Sequence, residues 1–236
     1  MPLIERWPPV LPKLEKLPRR QVFYRVFDPA WSPFAPNSSS GGRFALTGKR
    51  GMLYFADSPV AALWETVLRN VQIRPGTNRV IEIPTVWFAK RQMVGFVCDS
   101  DHLPGVLPLS PPGLRRLFDA SSPEYGITSS LTTTGSLART HEFARELEQW
   151  WTTAARVEGQ PLPILRWASR QFPNANVYLA YAPPINGEGC WKEIERIDLL
   201  SMVGMSRIRE ALRQAGFTWT PLGSEDLAFD DGEQIE

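Results

Sequence analysis

Residues 51–71 read GMLYFADSPVAALWETVLRNV, and no other stretch of the chain limits its fold as much. Gly51–Ala56 is a short apolar strand with Leu53 and Phe55 on one face and Tyr54 on the other, because side chains alternate along a strand. Ser58 then supplies an N-cap oxygen, and Pro59 suits the first helical turn, where its missing N–H costs nothing. Val60, Leu63, Trp64, Val67, Leu68 and Val71 recur at helical spacing, which predicts a helix through Val71 with one buried stripe. A strand therefore feeds directly into a one-faced helix.

The remaining elements do not repeat that pattern regularly. QVFYRVF (21–27), NRVIEIP (78–84), MVGFVC (93–98), PILRWA (163–168), NVYLAY (176–181) and KEIERID (192–198) read as strands, rich in β-branched and aromatic residues. DPAWSPFAPNSSSGG (28–42) is a long loop by its Pro, Ser and Gly content. Helices are expected at 140–159, with Phe143, Leu147, Trp150, Trp151 and Ala154 on one side, and at 206–216, with a short one at 113–119. Between 99 and 136 the pattern is otherwise weak. Strands and helices fall in runs and do not alternate as in a doubly wound sheet, so the expected class is α+β.

With 236 residues, 43% of them hydrophobic and 22% charged, the chain can bury a sizeable core. Residues 1–20 are basic and proline-rich and read as an extended arm; 223–236 carry six acids and no base and read as a solvated tail. The folded domain is then 21–222. A formal net charge of +1, with no basic stripe, argues against direct nucleic-acid binding. No apolar run is long enough to span a membrane and no signal-peptide core opens the chain, so a cytoplasmic location is expected.

Common catalytic motifs are missing. GEGCWK (187–192) lacks the third glycine of a dinucleotide fingerprint and reads as a turn before a strand. His102 and His141 lack zinc-ligand spacing, His141 falling in the first turn of its helix, and two cysteines make no disulfide framework. Three residues at the edges of apolar segments remain. Arg43 follows Ser-Ser-Ser-Gly-Gly and is either a solvated loop arginine or a guanidinium placed to grip a phosphate or carboxylate. Tyr54 is either core with a satisfied hydroxyl or a ring at a pocket wall. Glu65 sits beside the apolar stripe with Ala61 and Ala62 one turn back; it pairs with Arg69 on the surface or faces an open space. Ser169, at a strand end, either closes a turn or bonds a partner, and Arg25 points either to a pocket or to solvent.

Taken in order, GGRF (41–44), LYFADSPVAALWE (53–65) and ILRWASRQFPNANVYLAY (164–181) resemble the signature stretches of the RES domain, the toxin half of bacterial RES–Xre toxin–antitoxin pairs. The matching positions are Tyr24-Arg25-Val26, Gly42-Arg43-Phe44, Tyr54, Ala62–Glu65, Ser169 and Asn176. Ala45 departs from the asparagine usual after the G-R-[FW] motif, and 99–160 is longer than in a minimal member.

The resemblance implies an ADP-ribosyltransferase-like fold, a mixed or antiparallel sheet core with flanking helices. It also implies cleavage of NAD+ at the nicotinamide–ribose bond, by hydrolysis or phosphorolysis. NAD+ would be a substrate, with no separate cofactor or metal. Glu65, Arg43 and Tyr54 would be catalytic. Arg43 would hold the pyrophosphate, Tyr54 would stack on nicotinamide, Ser169 would bond the ligand or order Glu65, and Arg25 would be a second phosphate contact. The implied partners are an Xre-type antitoxin and a second toxin copy within a toxin–antitoxin complex. Transfer of ADP-ribose to a macromolecule, or a non-catalytic binding module, are the alternatives.

Overall fold

Alternation along the strands sorts the core into two faces. The computed structural model describes residues 7–8, 11–71, 80–98, 103–155, 161–183 and 189–222. Within them β1 (Phe23–Phe27), β2 (Met52–Ala56), β4 (Gln92–Cys98), β5 (Val106–Pro108), β6 (Ile164–Ala168), β7 (Asn176–Tyr181) and β8 (Trp191–Asp198) form a seven-stranded sheet ordered β5-β6-β7-β2-β1-β4-β8. Every neighbouring pair is antiparallel except β5 with β6. β3 (Val80–Pro84) lies outside this sheet, paired parallel to β9 (Thr218–Leu222). The class is α+β.

Phe23, Phe27, Leu53, Phe55, Val94, Phe96 and Tyr178 share one face of the sheet, with Phe34 and Trp191 packed among them. The opposite face carries two clusters. Helix α4 (Leu137–Ala155) lays Phe143, Leu147, Trp150 and Trp151 over Leu165, Val177, Leu179 and Tyr181. Helices α1 (Pro59–Trp64) and α5 (Met202–Gln214) cover Val26, Ala56 and Met93. Side chains such as Leu63, Leu147 and Ile208, all without exposure, each contribute about 1.5–3 kcal/mol on burial. The two clusters leave a hollow between them, and the site lies there.

Several expectations are corrected. The helix predicted through Val71 ends at Trp64, with Glu65 as its C-cap. Beyond it Leu68 N–H reaches back to Leu63 C=O at 3.0 Å and the Thr66 hydroxyl to Ala62 C=O at 2.5 Å, so side-chain and wide-turn bonds satisfy the last carbonyls. The apolar spacing persists (Leu68 is fully buried) although the helix does not. The poorly patterned 99–136 region holds β5, α2 (Pro111–Leu114) and α3 (Pro123–Leu131). The described part of residues 1–20 lies against the domain: Trp7 packs on Phe118, Phe143 and Trp150, and Glu15 exchanges two backbone bonds with Val106. The acidic tail at 223–236 and His102 lie outside the described residues. No described helix is long and apolar enough to cross a membrane.

Candidate active site

The Gly42-Arg43-Phe44 turn is held by its backbone. Three successive carbonyls each receive a hydrogen bond from a ring side chain on a different element. His141 Nε2, on α4, lies 2.8 Å from Gly42 C=O, so that nitrogen carries the proton. The Tyr54 hydroxyl, on β2, donates to Arg43 C=O at 2.9 Å. The Tyr181 hydroxyl, on β7, donates to Phe44 C=O at 2.7 Å. A Cβ at Gly42 would sit 2.9 Å from the Tyr54 ring, so only glycine lets the turn approach that ring. Phe44 takes φ of 58°, a conformation rarely adopted by a bulky residue, and is held there with its fully buried ring edge-on to Phe143 and Trp167. His141 thus has a structural function, and it lies in the second turn of a helix that starts at Leu137.

This clamp fixes the direction of Arg43. The residue is only 7% exposed, and its Nη2 donates to Leu131 C=O at the end of α3. Its Nε and Nη1 are buried and have no hydrogen-bond partner among the described residues. Burial brings its pKa down to about 10; Arg170 and Arg69 act in the same direction, and Glu65 opposes them. Buried donors without partners are uncommon in folded proteins. Arg43 is therefore a buried cation with donors to spare, not a solvated loop arginine.

Glu65 is anchored from the β6–β7 turn. Its Oε1 accepts from Ser169 Oγ at 2.6 Å and from Arg170 N–H at 3.1 Å. Ser169 Oγ in turn accepts from Phe172 N–H at 2.9 Å. Oε2 takes no bond from the described residues, and no ion pair joins Glu65 to Arg69. At the root of the same helix Asp57 accepts from Asn176 N–H and Nδ2 at 2.8 and 2.7 Å, tying the start of β7 to the end of β2.

Tyr54, Arg43 and Glu65 come together on the wall of one cavity of about 360 Å³, with Tyr24, Trp167 and Arg69. Burial raises the Tyr54 hydroxyl well above its ordinary range, so the ring is neutral. Ser169 stands behind Glu65, outside the cavity wall, and holds the carboxylate. Arg25 borders the cavity from β1, but its register partner Val94 belongs to the opposite face of the sheet. Its guanidinium donates there to Pro33 C=O at 2.6 Å and Ala35 C=O at 3.3 Å, which pins the long loop. Burial brings the Arg25 pKa down to about 10.

Sequence reading did not foresee Arg69, Arg170 or His141 in these positions. Arg69, four residues after Glu65, was visible only as a surface partner for it. Together the site offers a positioned carboxylate, a buried guanidinium and aromatic walls: one anion to stabilise positive charge, cations for an anionic ligand, and rings for a planar group.

The RES domain family model matches residues 22–198, which contain every residue of this cavity. The chain belongs to the RES domain family. Among solved structures, a chain from the crystal structure of the M. tuberculosis MbcT–MbcA toxin–antitoxin complex shares the fold at a TM-score of 0.54 and 13% identity. The match spans 86% of this RES protein and 93% of that chain. No curated protein matches the sequence.

Proposed function

We propose that this RES protein is an NAD+-degrading toxin that cleaves the nicotinamide–ribose bond and passes the ribose to water or phosphate. The observation that carries the reading is Glu65: a carboxylate held through Oε1, with Oε2 unengaged, in the same small cavity as a buried arginine with two unpartnered nitrogens.

Breaking the bond from ribose C1′ to the pyridinium nitrogen sends the bonding pair to that nitrogen, and neutral nicotinamide leaves. Positive charge then builds on the ribose. In this reading Glu65, on the cavity wall, stabilises that charge, since fixed charges in a secluded site act most strongly on transition states. Either water bonds to C1′ and releases a proton to solvent, giving ADP-ribose, or an anionic phosphate oxygen bonds to C1′, giving a phosphorylated ADP-ribose. Tyr54 stacks on the nicotinamide, Arg43 holds the phosphate side of the substrate, and Ser169 orders Glu65. Good positioning of a bound leaving group supplies the remainder of the rate. Arg25 borders the cavity and secures the long loop through the carbonyls of Pro33 and Ala35.

The shared fold with a chain of a toxin–antitoxin complex supports an antitoxin partner for this protein; its Xre type and a second toxin copy in the complex are proposed from the RES resemblance alone. The test is Glu65→Gln, which keeps size and hydrogen bonding but removes the charge. Turnover of NAD+ should fall by roughly 10²–10³-fold with the fold intact. A folded variant working at the wild-type rate would overturn this reading.

A further inference from the structure

A second hollow of about 570 Å³ opens beside the first, and the two share Val26 and Thr66 as a common wall. Polar and apolar groups share its wall: Thr66, Val67 and Asn70 from the turn after α1, Val86 and Trp87 from the short 3₁₀ turn Thr85–Trp87, and Arg91. Trp87 is 42% exposed and Val86 70%, so this turn presents a bare indole and a bare isopropyl group to the groove. The Trp87 ring packs on no other aromatic ring among the described residues. By contrast Trp64, Trp150, Trp151 and Trp167 are all 5% exposed or less, while Trp31, 72% exposed on the 28–42 loop, lines neither hollow. An exposed indole beside a charged cavity is the arrangement that receives a flat apolar group, because the ring offers a large stacking surface at little entropic cost.

The junction between the hollows carries charge. Arg69 lines the first cavity, while Thr66 and Asn70, on the same turn, line the second. Arg69 is exposed and lies close enough to Arg43 and Tyr54 to act on both electrostatically. The order along the surface is therefore a cavity with a carboxylate, an arginine, and an aromatic groove. A dinucleotide has the matching order of a reactive nucleoside, a pyrophosphate and a second base.

We infer that the groove beneath Trp87 is the subsite for the adenosine half of the substrate, with adenine stacked on the Trp87 indole and the pyrophosphate against Arg69. This rests on the NAD+ reading given above. It makes the protein selective for dinucleotides over nicotinamide mononucleotide, which fills the first cavity only.

The experiment compares kcat/KM for NAD+ and nicotinamide mononucleotide in wild type, Trp87→Ala and Trp87→Phe, with circular dichroism to check folding. The wild type should prefer NAD+. Trp87→Ala should reduce that preference roughly tenfold, mostly through KM for NAD+, as expected when one base loses its stacking partner, and Trp87→Phe should restore most of it. Equal use of both substrates by the wild type, or an unchanged preference in Trp87→Ala, overturns the subsite while leaving the cleavage reaction standing. Failure of the wild type to consume either compound overturns both.

Discussion

Replacing Ser169 by alanine removes one oxygen and tests how Glu65 is held. Ser169 is 2% exposed, and its hydroxyl makes two bonds: it donates to Glu65 Oε1 at 2.6 Å and accepts from Phe172 N–H at 2.9 Å. A hydrogen bond to a charged group contributes about 1.5–3 kcal/mol, and each 1.4 kcal/mol corresponds to about tenfold in rate. Arg170 N–H remains on the same oxygen, so part of the orientation survives. We therefore expect kcat for NAD+ cleavage to fall about 10–100-fold. KM should stay within about twofold, because Ser169 is not part of the cavity wall. The Phe172 N–H loses its acceptor at a cost of about 1–3 kcal/mol, which lowers Tm by about 2–4 °C per kcal/mol in a chain of this size. Steady-state NAD+ loss at 25 °C, with a thermal melt alongside, separates the two effects. A folded Ser169→Ala protein with kcat within twofold of wild type would refute the reasoning that Ser169 positions the carboxylate. A change confined to KM would place it on the substrate instead.

Two further expectations concern the scaffold. Tyr54→Phe removes the bond to Arg43 C=O, one of the three that clamp the Arg43 turn; it should cost about 0.5–1.5 kcal/mol of stability and slow turnover, and an unchanged melt would show that the clamp is redundant. On α5, Glu210 accepts from Arg213 and Gln214, and these bonds bring its pKa down to about 2, below the unfolded value. A depressed carboxylate stabilises the fold above its unfolded pKa, and that contribution is lost as pH falls through its folded pKa. Glu210→Gln should therefore flatten the stability curve between roughly pH 4.5 and 2 in denaturant titrations, and an identical acid limb would count against the pairing.

How much of this was legible in the sequence depended on where the deciding contacts lie. β1, β2, β4, β6, β7 and β8 were readable because their alternation and composition are local properties, and Ser58 does cap α1 as its position suggested, accepting from Ala61 N–H at 3.0 Å. The premature end of α1 was not readable, because what replaces helical bonding there is a side-chain hydroxyl and a capture of Glu65 by residues more than a hundred positions away. β5 and β9 were missed because each contains a proline, Pro108 or Pro221; β5 tolerates it as the terminal strand of the sheet. α3 carried a usable signal, Ser122 followed by Pro123, and was hidden by its weak apolar stripe. That omission mattered for the site, since the last carbonyl of α3 receives Arg43. The direction of Arg25 likewise needed the strand register, which places it opposite Val94 and away from Tyr24.

The most direct measurement follows NAD+ by chromatography after incubation with the purified protein, with and without phosphate, beside Glu65→Gln. The account predicts release of free nicotinamide by the wild type alone, with a phosphorylated ADP-ribose product if phosphate is the acceptor and ADP-ribose if water is. Intact NAD+ in the presence of folded wild-type protein would contradict it.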